Sequence, residues 1–455
     1  MLNRCCYLVA ALATTAAVAD TFVPMTSDAV VKSGARYATV APSYTEPLSP
    51  TVAPLKVVAF DFQGMTFSTT VSNTSSVDVV LYWHHWKPNY SSNMPHRLRI
   101  ECTPMSNKDS NDHKNGAATA TFGSVVWWLD TSAQSAGSTA PLRYAGCEQL
   151  DPTLQYTVAL FHATEPNWNQ LFSHPNAVEA VGFILSASPD AATSLSGSVV
   201  GASAGARRGA PVAAAPPVRG TGRRVEFLGD SITCGFCNLC RNPPFPNATG
   251  YALESYYDSW AHLTCARLGA DCHTVAWSGY GMVENCCGGN TTLPMVYNRT
   301  LGSDSGSVWN FAAQTEPTPA GQSAWAAPQA VVVNLGTNDF FDRHKMPHLA
   351  EAYKREYLAL LNFIDSNYGQ RPYYFLACGP MSELYCDEVF AVINATATTF
   401  VDPAHGNAPR VHFLDQRGLV TPANLCCGHP DANADVTLAD RTTATLQAVV
   451  PAFAP

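Results

Sequence analysis

Residues 223–235 read RRVEFLGDSITCG, and what that serine is for depends on the fold that delivers it. The apolar residues Val225, Phe227 and Leu228 mark a short strand, so Gly229-Asp230-Ser231 falls at its carboxyl end, the edge where open α/β sheets bind their ligands. A hydroxyl at that edge suits a nucleophile. It equally suits a helix N-cap, and the rest of the chain has to decide between the two.

Beyond this strand, strand and helix alternate. YYDSWAHLTCARLG (256–269) puts Tyr256, Trp260 and Leu263 on one helical face, and CHTVAWSG (272–279) is a second strand. AVVVNLG (330–336) is continuously apolar, as a strand buried on both faces must be. HLAEAYKREYLALLNFID (348–365) repeats Tyr353, Tyr357, Leu360 and Ile364 at helical spacing. Strands at 372–378 and 410–415 follow, and a last helix starts near Asn433. This order predicts a parallel sheet of five strands between two helical layers, with the functional loops at the strands' carboxyl ends.

On the amino-terminal side of the quoted stretch, residues 186–222 are rich in Ala, Gly, Ser and Pro with no apolar period and read as a linker. Before it, segments 55–64, 77–86, 96–102, 122–130, 154–163 and 178–187 carry β-branched and aromatic residues at strand length, which predicts an all-β sandwich of jelly-roll type. Trp83, Trp86, Trp127 and Trp128 are read as core residues of this unit, with a sugar-stacking platform as the alternative. His84-His85 is no metal pair, because neighbours on a strand face opposite ways.

The chain opens with Arg4, an apolar run through Val18 and the small-residue pattern Ala17-Val18-Ala19, read as a secretory signal peptide too short to span a bilayer. The divisions are therefore 1–19 signal peptide, 20–187 β-sandwich, 188–222 linker and 223–455 α/β domain. The expected product is a secreted, extracellular monomer with no membrane span. Of 15 cysteines, 13 lie beyond the signal, which in an exported chain predicts disulfides with at least one thiol left over. Cys234-x-x-Cys237-x-x-Cys240 lacks a second Cys/His pair at zinc-finger spacing and is read as oxidised, so no metal is expected. Sequons at Asn73, Asn89, Asn247, Asn290, Asn298 and Asn394 fit glycosylated surface loops. A net charge of −9 without any basic run removes the electrostatic footprint of nucleic-acid binding.

Three carboxyl-end loops and one further loop hold groups that acyl transfer needs: Gly229-Asp230-Ser231, Ser278-Gly279-Tyr280-Gly281, Gly336-Thr337-Asn338-Asp339 and Cys427-Gly428-His429-Pro430. A serine is a weak nucleophile until a nearby base takes its proton, and His429 titrates in the right range. The N–H groups of Ser231 and Gly279 and the amide of Asn338 are candidate donors to an oxyanion, with Gly281 competing for the second place. Asp230 and Asp339 are supporting residues, Asp339 as a turn former tying loops through backbone N–H groups.

These four blocks, GDSIT, SG, GTND and HP, resemble the Ser-Gly-Asn-His (GDSL-type) hydrolases from about residue 222 to the end. RRVEFLGDSITCG, WSGYGMVENCCGGNTTLPMVYNRTL (277–301) and the β domain are together most similar to the family 2 carbohydrate esterases, two-domain enzymes that deacetylate plant polysaccharides. The resemblance implies Ser231 as nucleophile, His429 as base, Ser231, Gly279 and Asn338 as the oxyanion hole, an acetylated polysaccharide or oligosaccharide as substrate, and no cofactor. One position departs from the broader pattern: three residues before the histidine, where the hydrolases carry aspartate, stands Cys426. Family 2 esterases work with a Ser-His dyad whose histidine is held by other groups, often a backbone carbonyl, and Cys426 is read as disulfide-bonded, its bridge fixing the loop. A lipase or phospholipase of the same mechanism, and a non-catalytic carbohydrate-binding protein on a hydrolase scaffold, are the alternatives.

Overall fold

The computed structural model describes residues 20–454 except 34, 45–46, 50–53, 55, 84–95, 106–123, 131–138, 167–176, 187–211, 215–221, 244–249, 312–326, 342–345 and 370. The signal-peptide reading, His84-His85, Trp86 and the sequons Asn89 and Asn247 lie outside the described residues.

The amino-terminal half is built from β1 (Thr21–Pro24), β2 (Val31–Ser33), β3 (Ala38–Val40), β4 (Val57–Phe60), β5 (Thr66–Ser72), β6 (Ser76–Trp83), β7 (Arg97–Pro104), β8 (Val125–Asp130), β9 (Leu142–Cys147), β10 (Gln155–His162), β11 (Val178–Ser186) and β12 (Val212–Ala214). They form two antiparallel sheets, one ordered β3-β4-β11-β6-β9 with β1 also on β11, the other β12-β5-β10-β7-β8 with β2 also on β5. Phe60, Val79 and Phe183 of the first sheet and Phe67, Ile100 and Leu160 of the second share one core. The Cys102–Cys147 disulfide ties β7 to β9 and so joins the sheets.

Sequence reading missed β5, whose Ser/Thr-rich TFSTTVS nevertheless buries every second residue, Phe67, Thr69 and Val71. It also missed β1, β2, β3, β9 and β12; β12 lies within the linker range, where its backbone pairs with Val71 and its neighbours. Trp83 is a core residue as expected, 2% exposed. Trp127 is not, because β8 ends its sheet and leaves that ring 45% exposed.

The carboxyl-terminal half holds a parallel sheet of β13 (Arg224–Gly229), β14 (Asp271–Ala276), β15 (Ala330–Asn334), β16 (Tyr373–Cys378) and β17 (Val411–Asp415), in the order β14-β13-β15-β16-β17. Strand order reverses beside β13, so a crevice opens where β13 and β15 diverge to their connections. Alternation along β13 explains the layers. Val225 and Phe227 face α2 (Trp260–Leu268) and α6 (Ala432–Val449), while Leu228 faces the side of α4 (Met346–Asn367) and α5 (Cys386–Thr396). The short helices α1 (Ser231–Cys234) and α3 (Leu293–Tyr297) belong to the loops at the strands' carboxyl ends.

The halves are bolted together through buried polar groups. Arg36 pairs with Glu226 of β13 at 3.2 Å, both essentially unexposed, and Tyr297 and Tyr368 donate to the other Glu226 oxygen at 2.8 and 3.0 Å. Asp61 accepts from the N–H groups of Gly302 and Ser303 at 2.9 and 2.8 Å, and Arg97 donates to the Ala252 carbonyl at 2.7 Å.

Candidate active site

Asp230, at the end of β13, caps α1 by accepting the Ile232 N–H at 3.0 Å. The capping role weighed for the serine thus falls to its neighbour, and Ser231 occupies the first helical position. His429 Nε2 lies 2.8 Å from Ser231 Oγ. The other ring nitrogen, Nδ1, lies 3.2 Å from the carbonyl oxygen of Cys427. That oxygen can only accept, so Nδ1 carries the hydrogen and Nε2 keeps its lone pair for the serine.

A tight hairpin places this histidine. Leu425–Cys426 pairs antiparallel with His429–Pro430, Cys426 opposite His429, leaving Cys427 and Gly428 as a two-residue turn. Both turn residues have positive φ, 49° and 79°, the conformation that two-residue hairpins with matched twist require. Glycine takes it freely and cysteine does not; Cys427 is held there by a disulfide to Cys237, and Cys426 by one to Cys240. Two bridges therefore staple the histidine hairpin to the segment following α1, and the bonded state expected of Cys426 is the one found; Cys234, read as oxidised with Cys237 and Cys240, is instead a buried free thiol, because it lies within α1 away from the hairpin cysteines. Phe236 lies edge-on to the His429 ring, 4.8 Å between centroids. Burial lowers the affinity of His429 for a proton, against a smaller raising effect of the Cys427 carbonyl.

The loop after β14 carries Ser278 and Gly279, the latter at φ 80°. The Gly281 N–H donates to Asn285 Oδ1 at 3.0 Å, so the rival oxyanion donor is engaged within its own loop. Asp339 accepts the N–H groups of Met282, Val283 and Glu284 at 2.8, 2.6 and 3.0 Å, the loop-tying role expected of it. Asn338 donates from Nδ2 to Asp230 Oδ2 at 3.0 Å and to the Tyr280 carbonyl at 2.8 Å. Sequence reading put Asn338 in the loop after its strand, where it lies, but did not foresee these bonds; an oxyanion can take an Asn338 hydrogen only by displacing one of them. Desolvation, with the nearby Asp339 and Glu165 adding to it, pushes the Asp230 carboxyl up to about 7. Trp277 is a core residue, 3% exposed and stacked on Tyr280. Among the described residues no group of three or more His, Cys, Asp or Glu side chains could hold a metal ion.

A family profile described as GDSL-like lipase/acylhydrolase matches residues 225–442, the segment that holds all four loops. The chain carries a GDSL-like lipase/acylhydrolase domain. Over 168 residues, 35% of this chain and 17% of the relative, the chain is 34% identical to the cellulase/esterase CelE of Acetivibrio thermocellus. Over 234 residues, 50% of this chain and 59% of the relative, it is 25% identical to the acetylxylan esterase / glucomannan deacetylase of Cellvibrio japonicus. The chain therefore spans less than two thirds of either curated relative. A family two carbohydrate esterase from Clostridium thermocellum, solved with cellohexaose, shares the fold at TM-score 0.59 and 19% identity, over 92% of this chain and 98% of that one. The GDSL domain and its neighbours are those that the four sequence blocks resemble, with family 2 carbohydrate esterases among the solved structures.

Proposed function

We propose that this protein is a secreted carbohydrate O-acetyl esterase working through a Ser231-His429 dyad. The observation that carries the reading is the 2.8 Å contact between His429 Nε2 and Ser231 Oγ, with the tautomer set by the Cys427 carbonyl. In this reading Ser231 Oγ attacks the acetyl carbonyl carbon while Nε2 takes its proton. The N–H groups of Ser231 and Gly279 bear the charge on the tetrahedral oxygen, joined by the Asn338 amide once one of its bonds to Asp230 and Tyr280 gives way. Imidazolium then gives the proton to the sugar oxygen as its bond to the acetyl carbon breaks, which releases the sugar hydroxyl and leaves acetyl-Ser231, and a water activated by the same nitrogen hydrolyses it. A carbonyl dipole orients this histidine where other triads use a carboxylate, so it stabilises imidazolium less than a full charge does.

The carbohydrate assignment draws on relatives named for acetylxylan and glucomannan and on the cellohexaose complex of the Clostridium protein. The domain division goes with it: a jelly-roll-like unit at 20–187, a linker at 188–222 and the hydrolase domain from 223, behind a signal peptide at 1–19. Glycosylation fits the exposed sequons Asn290, Asn298 and Asn394. Acetate release from acetylated xylan and glucomannan tests the reading. The parent should release acetate and Ser231→Ala should lose about 10⁴-fold or more. Cleavage of nitrophenyl esters with long chains but of neither polymer would favour a lipase, and silence toward all esters a binding protein.

A further inference from the structure

Behind the Ser278-Gly279 turn lies a carboxylate that the other half of the chain supplies. Glu165 follows β10 by three residues, is 5% exposed, and its Oε2 accepts the N–H of Ser278, the residue immediately before Gly279. Its backbone is pinned as firmly. The Glu165 N–H donates to Glu254 Oε1 at 2.7 Å, and the Ala163 carbonyl accepts the Tyr256 N–H at 2.8 Å. Around the carboxyl stand the Cys234 thiol of α1, Glu254, Asp230, Tyr251 and Tyr280, with Arg97 beside Glu254. Burial among these groups pushes the Glu165 carboxyl up to about 7.

A buried acid with so many acidic neighbours is a costly way to hold the N–H and hydroxyl of one serine and a thiol. What it provides is rigidity at one turn. The Ser278 N–H belongs to the peptide unit just before the one that carries the Gly279 N–H, so holding it anchors one side of the Ser278 Cα, about whose φ and ψ the Gly279 N–H is aimed. We propose that Glu165 is a positioning residue for the oxyanion turn, by which the β-sheet half completes the reaction site of the GDSL domain. This rests on the reading of Ser231 as nucleophile and Gly279 as oxyanion donor. A donor displaced from the oxyanion site loses its effect, and whole donors are worth about 10²–10³ in rate.

The test compares Glu165→Asp and Glu165→Gln in the full chain. Aspartate keeps the carboxyl group but withdraws the acceptor by one methylene; glutamine keeps an acceptor oxygen at the same reach. Turnover of nitrophenyl acetate is measured per active site, counted with an organophosphorus serine reagent. The expected result for Glu165→Asp is a kcat lower by about tenfold or more with KM held within about twofold, and for Glu165→Gln a kcat within about threefold of the parent. Equal losses in both variants, a loss confined to KM, or fewer titratable sites at unchanged turnover per site would each overturn the proposal, the last assigning Glu165 to folding alone. If the parent fails to consume the serine reagent, or Ser231→Ala retains turnover, the nucleophile reading itself has failed, independently of Glu165.

Discussion

As the base of the proposed dyad, His429 must be neutral to accept a proton, and burial makes it release its proton more readily than an ordinary histidine. The active form is therefore the high-pH form, and its population falls only as pH drops through a value below 6.5. A pH profile of kcat/KM on nitrophenyl acetate should accordingly rise to a plateau with an apparent pKa under 6.5. A midpoint above that value would mean that a charge stabilises the imidazolium. Gly281 offers a second check. A Cβ there would lie 1.9 Å from the Glu284 carbonyl and 2.7 Å from the Asp339 carboxylate. Gly281→Ala should lower the urea midpoint, by about 1–3 kcal/mol in stability, and depress turnover through the adjoining turn. At this scale Ser231, His429 and Asn338 were legible because each sits beside a strand end or in a short block with its own turn residues. Glu165 was not, because the bond that gives it meaning spans 113 positions and nothing in FHATEPN marks its acid out from any other.

The histidine hairpin is two residues on each side of a two-residue turn, far too little to hold its shape alone. Its order comes from Cys237–Cys427 and Cys240–Cys426. Replacing Cys240 and Cys426 together by serine leaves the bridge at the turn itself, so stability should fall by about 2–4 kcal/mol while turnover per folded molecule holds. Replacing Cys237 and Cys427 together frees the residue whose carbonyl orients His429, and turnover should fall as well. Denaturant melts alongside titrated-site kinetics separate the two. The five parallel strands were legible from their unbroken apolar runs and their alternation with helices. Much of the amino-terminal half was less so, because β5 is written in Ser and Thr and β12 joins its sheet from a stretch whose composition reads as linker. In those strands backbone pairing with a distant partner, rather than a local apolar pattern, decides the structure.

Arg36 reaches from the β-sheet half to Glu226 in the middle of the hydrolase sheet, and both are buried. Arg36→Ala leaves the carboxylate without its cation and should destabilise the protein by about 3–5 kcal/mol in a chemical melt. A change under about 1 kcal/mol would mean that the two tyrosine donors suffice. Burial likewise pushes the phenols of Tyr256, Tyr353, Tyr357 and Tyr374 well above their ordinary value. Stability linked to them is complete below the unfolded phenol value of about 10 and drains away as pH climbs past it. Alkaline titration should therefore show these phenolates appearing in one step together with loss of the circular-dichroism signal, whereas separate steps would mean the rings ionise in place. The two bridges at the histidine hairpin span 190 and 186 positions, which closes nearly the whole hydrolase half into a covalent ring. A protease that nicks the backbone once between Arg241 and Leu425 opens that ring without dividing the molecule: serine and histidine travel together as one band on a gel until a reductant is added, and only then as two.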